Sequence, residues 1–63
     1  MQYHLPPQKS DLTFDEAVEV WLLRKSGLAQ HRIAARFGVN PGRVNDVLKE
    51  RKHIGSRAKA TGK

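Results

Sequence analysis

Two stop signals confine this chain before any other feature is weighed. Ser26-Gly27 and Gly38 lie close together, and Asn40-Pro41 follows at once. Glycine costs about 1 kcal/mol inside a helix, and it takes cheaply the left-handed conformation that ends one. Asparagine suits the position that caps a helix, and proline suits the first helical position, where its missing N–H is no loss. No long helix can cross this stretch. Strand-like alternation and internal repeats are both absent, so the expected class is all-α, built from short helices and tight bends.

The first helix is expected to start at Thr13. Thr13-Phe14-Asp15-Glu16 matches a capping box, and its acids suit the positive end of the helix dipole. Phe14, Ala17, Val18, Trp21, Leu22 and Lys25 recur at three- and four-residue steps and define one face. Val20 and Leu23 fall off that face. They either pad a wide core stripe or form, with Tyr3 and Leu5, an apolar contact to a second copy. The second helix is expected from about Ala29 to Phe37, with Ile33, Ala34 and Phe37 inward and Arg32 and Arg36 outward. The third follows Asn40, turns Val44 and Val47 inward, and runs toward His53 or Ile54 before Gly55. This gives a three-helix domain over 12–54. An extended arm over 1–11, marked by Pro6 and Pro7, precedes it, and a flexible basic tail over 55–63 follows.

A chain of 63 residues allows one domain and a modest core. It has no cysteine, so no disulfide or thiolate metal site can staple it. No run approaches the ~18 apolar residues of a membrane span, and the start lacks a signal-peptide pattern. His4, His31 and His53 have no ligand-spaced companions, and Ser10, Ser26 and Ser56 have no nucleophile-elbow setting. No glycine-rich phosphate loop is present. The expectation is a cytoplasmic binding protein with no cofactor, no metal and no small-molecule ligand, and not an enzyme.

Charge points to the partner. Twelve Lys and Arg against six Asp and Glu give a net +6. Residues 1–28 hold three basic and four acidic side chains, whereas residues 29–63 hold nine basic and two acidic. A small protein with one strongly cationic half carries the footprint of polyanion binding.

The stretch from Gln30 to Lys49 resembles the helix-turn-helix of bacterial and phage DNA-binding proteins. Gln30 opens the second helix, and Ala34 stands where two helices cross closely. Phe37-Gly38-Val39 matches the apolar-Gly-apolar turn, and Val44 and Val47 match the buried side of the recognition helix. Ala29 departs from the pattern, since the family commonly has a capping Ser or Thr there. The resemblance implies that the third helix enters the major groove of double-stranded DNA while the second crosses the phosphate backbone. It also implies a nucleoid-associated regulator, most simply a repressor of phage or mobile-element type, acting as a homodimer.

On that reading Pro41, Gly42, Arg43, Asn45, Asp46 and Lys49 meet the bases. Arg43 suits guanine and Asn45 suits adenine. Stepping around the helix from Val44 puts Gly42, Asp46, Lys49 and His53 outward. Compact Pro41-Gly42 allows close approach, and free N–H groups of the first turn attract phosphate. Asp46, awkward beside phosphates, either accepts from cytosine, orients Arg43 or Lys49, or rejects wrong sites. Gln30, His31, Arg32, Arg51, Lys52, Arg57 and Lys59, with Lys63, are the phosphate contacts. Two other readings stand beside this one. One is an architectural or recombination accessory DNA-binding protein. The other is a protein-interaction module for a polymerase, activator or toxin, supported by the acidic Asp46 and Glu50.

Overall fold

The computed structural model of the chain describes residues 11–62; Tyr3, Leu5 and Lys63 lie outside them. Among the described residues there are four helices and no strand. They are α1 (Phe14–Lys25), α2 (Gln30–Phe37), α3 (Pro41–Leu48) and α4 (Ser56–Thr61). The start of α1 is the expected capping box. The Glu16 N–H donates to Thr13 Oγ1 (3.1 Å), and the Thr13 N–H donates to Glu16 Oε1 (2.9 Å). Ala29 precedes α2 with no side-chain cap. Asn40 caps α3 by accepting from the Gly42 N–H at 2.8 Å.

Three helices end in the same way. In a Schellman closure, two N–H groups past the helix bond back to orphan carbonyls around one left-handed residue. After α1 that residue is Gly27 (φ 102°), with Gly27 N–H donating to Arg24 O and Leu28 N–H to Leu23 O. After α2 it is Gly38 (φ 68°), with Gly38 N–H donating to Ala35 O and Val39 N–H to Ala34 O. After α3 it is Glu50 (φ 57°), with Glu50 N–H donating to Val47 O and Arg51 N–H to Asp46 O. The third helix therefore stops at Leu48, short of His53. No glycine announces the stop, because a glutamate takes the left-handed position and bears the strain.

The core is Leu12, Ala17, Val20, Ile33, Ala34, Val39, Val44 and Val47. Val20 is fully buried, which removes it from the expected contact with a second copy. Leu23, assigned with it, packs half-buried against the same core. The expected face of α1 is accordingly displaced: Phe14 and Leu22 are exposed, and the helix turns Ala17 and Val20 toward α2 and α3. The last two turns of α1 are apolar on several sides, so spacing alone does not select the inward one.

The expected tail instead contains α4, which packs on α1 and on no other helix. Ser56, almost fully buried, accepts from the Trp21 indole N–H at 3.1 Å. The Arg57 guanidinium lies 5.6 Å from the Trp21 ring centroid, and the Lys59 ammonium 5.9 Å from that of Phe14. A helix this short is unstable alone, so these contacts hold it.

Replacing Glu50 by glycine relieves the left-handed strain at the loss of one exposed 3.8 Å ion pair with Arg57. E50G is expected to raise stability by about 0.5–1 kcal/mol in thermal unfolding, whereas E50A, which loses the ion pair without relief, gives no gain. Ser56→Ala leaves the indole N–H without its acceptor and is expected to lower stability by about 1 kcal/mol.

Candidate nucleic-acid interface

The α2–α3 pair is built so that α3 has one anchored side and one accessible side. Val44 and Val47 are buried, and Ala34 of α2 is buried among the same core residues. Pro41 and Lys49 are exposed; Gly42, Arg43, Asn45 and Asp46 are half-buried. These six residues, expected as base contacts, therefore share the reachable part of α3 and its ends. His53, expected outward on the same helix, is not on it. It lies in the loop beyond, at φ 54°, and its ring meets Phe14 edge-on at 6.2 Å. Its Nε2 is 2.6 Å from the Leu12 carbonyl. A carbonyl only accepts, so that nitrogen carries the proton and donates.

The first turn of α3 differs from expectation in its spare donors. Pro41 has no N–H, that of Gly42 is taken by Asn40 Oδ1, and that of Arg43 by the Asn40 carbonyl (2.8 Å). None of these three positions offers a free N–H to phosphate. Gly42 also has a local role. A Cβ there would lie 3.2 Å from Asn40 Oδ1, so the glycine leaves room for the cap. Gln30, expected on phosphate, donates from Nε2 to the Pro41 carbonyl at 3.4 Å and ties the start of α2 to the start of α3.

Asp46 is the electrostatic centre of the face. Its two carboxylate oxygens each meet an arginine at 3.3 Å, Oδ2 with Arg43 Nη2 and Oδ1 with Arg51 Nε. The trio keeps a net positive charge, and each guanidinium is held to the carboxylate. Lys49, the other group considered for Asp46, is not in this pairing. Spacing finds Arg43 at i,i+3. It does not find Arg51, which the turn at Glu50 brings back over α3.

The remaining cations divide into paired and unpaired. Lys52 pairs with Asp11, and Arg57 with Glu50. Arg57 and Lys59 sit on α4 against α1 rather than on a free tail beside α3. By contrast, Arg32, Arg36 and Lys49 are exposed, and no carboxylate among the described residues pairs with them. His31 is exposed beside Arg32. Arg36 was absent from the expected phosphate contacts. Its four-residue step from Arg32 on one helix face was the signal that could have included it.

Lys52 and His53 clamp the loop after α3 to the chain just before α1. The Lys52 ammonium donates to Asp11 and, with the Leu12 N–H, holds the Asp11 carboxyl below the ordinary aspartate value of 3.8. No helix of the described residues is long and apolar enough to cross a membrane, and those residues form no cluster of three or more metal-ligating side chains. No protein-family model matches the chain, nor does any curated protein or solved structure.

A lowered carboxyl pKa stabilises the fold above the unfolded value and loses that contribution as pH falls through the folded one. Acidification below 3.8 is therefore expected to lower the melting temperature of the native chain more than that of Lys52→Gln. Melting curves across that pH range check this; equal slopes would show that the clamp carries no linkage.

Proposed function

We propose that the chain binds double-stranded DNA through the accessible side of α3, as a small sequence-specific regulator and most simply a repressor on the nucleoid, and not as a catalyst. One observation carries this reading. Asp46 and Lys49 lie opposite the buried Val44 and Val47, with Arg43 and Asn45 on the two flanks of that side, and the neighbouring helix α2 carries the exposed Arg32 and Arg36. That is the arrangement by which a helix-turn-helix lets one helix read base edges while its neighbour holds the backbone. The internal pairing of Asp46 supports it further, since a carboxylate held between two arginines meets phosphate with its charge already offset.

On this reading Arg43 is aimed by Asp46 toward a guanine edge and Asn45 toward adenine. Arg32, Arg36 and Lys49 neutralise phosphates. Arg51, held to Asp46, adds to the same positive surface. Gln30 and Asn40 fix the first turn of α3 rather than contacting DNA through the backbone. The architectural reading requires the same cations but no discrimination between sequences, so competition with random DNA separates the two.

Selection of bound sequences from random duplexes is expected to return a short motif. Arg43→Ala should lose about 1–3 kcal/mol of discrimination at one position of it. Arg32→Ala, Arg36→Ala and Lys49→Ala should weaken all sequences alike and each lower the log–log salt slope by about 1. Absence of binding at low salt, or an affinity indifferent to salt, overturns the proposal.

A further inference from the structure

Part of the outer side of α1 stays accessible, from Asp15 to the mouth of the groove that α1 forms with α4. Successive residues are about 100° apart on a helix, so Asp15, Val18, Leu22 and Lys25 fall within roughly 80° of one another. Asp15, Glu19, Leu22 and Lys25 are exposed and Val18 is half-buried; Leu22 keeps 48% of its surface. Read from one end, the stripe is acidic, then apolar, then basic. Separation of charge along the helix suits its dipole, but the dipole gives no reason for a bare leucine between the charges.

A stripe of this pattern is complementary to itself when reversed. Turned antiparallel about a two-fold axis near the middle of α1, Val18 meets Leu22 of a second copy, and Asp15 meets Lys25 of that copy. The two-fold axis repeats both contacts, which is the property of an isologous interface. The neighbouring surface has the same sign of complementarity. Leu22 forms one wall of a groove of about 280 Å³ between α1 and α4, whose cations are Arg24, Lys25 and Arg57 and whose lining holds no carboxylate. An acidic first turn is what such a groove accepts.

We infer that the outer face of α1, centred on Val18 and Leu22, docks a second copy of this chain in antiparallel register. Val20 and Leu23, packed in and against the core, take no part in this contact, which forms independently of DNA. A helix of 12 residues is about 18 Å long and offers less than the usual area of a stable pair, so the dimer is weak and salt-sensitive. A site with two half-sites would raise its occupancy by holding two copies side by side.

Sedimentation equilibrium of the full chain at low salt tests it up to millimolar concentration. The native chain should associate reversibly, and Leu22→Glu, at an exposed position, should weaken association at least tenfold while keeping its circular dichroism. Asp15→Lys and Lys25→Glu variants should each be monomeric alone and form a mixed dimer when combined. A native chain that stays monomeric, a Leu22→Glu variant that associates unchanged, or charge variants that fail to pair when mixed would each overturn the inference. DNA binding by a strict monomer would sink this inference and spare the proposed function; a dimer indifferent to DNA would do the reverse.

Discussion

Left-handed closure at the ends of α1, α2 and α3 is the constraint from which the rest of the molecule follows. Each closure turns the chain sharply enough that helices of eight to twelve residues can share one small core. It also decides where the next side chain lands. After α1 and α2 that side chain is Leu28 or Val39, and it returns to the core that Leu23 and Ala34 help to form. After α3 it is Arg51, and the residue it returns to is Asp46. An ion pair thus replaces the usual apolar contact of this motif. The substitution puts a cation on the polar side of α3, where an apolar residue would have sought the interior.

That side of α3 is consequently organised by charge and not by shape. Asp46 holds two arginines, one from the first turn and one from beyond the helix. Gln30 and Asn40 fix the opposite end of the same helix through backbone groups. On α2 and at the C-cap of α3, the exposed Arg32, Arg36 and Lys49 meet no carboxylate among the described residues. Arg32 and Arg36 lie one turn apart on α2, and Lys49 is the C-cap of α3.

Much of this architecture is legible in the residues themselves, because its signals are local. Thr13 with Glu16, Asn40 with Gly42, Gly27 and Gly38 each fix a helix boundary through a bond to a near neighbour. The misread parts are those where the deciding contact is distant or the signal is missing. Glu50 ends α3 without a glycine. Trp21 and Ser56, separated by 35 positions, hold α4 against α1, and nothing in the small, basic stretch around α4 announces that contact. Val20 is buried because α1 faces two sets of neighbours, an arrangement that periodicity on one helix does not encode. The candidate face of α3 was readable as a set of residues. Its internal pairing was not, since the partner of Asp46 from outside the helix arrives only through the left-handed turn.

The seam between α1 and α4 contains the only tryptophan of the chain, hydrogen-bonded through its indole nitrogen and covered by a guanidinium. Its fluorescence therefore reports on this joint as well as on the core it packs against. Release of α4 would move that indole into water while the valine core stayed closed, so emission and helical ellipticity would part company wherever the two ends of the chain loosen separately.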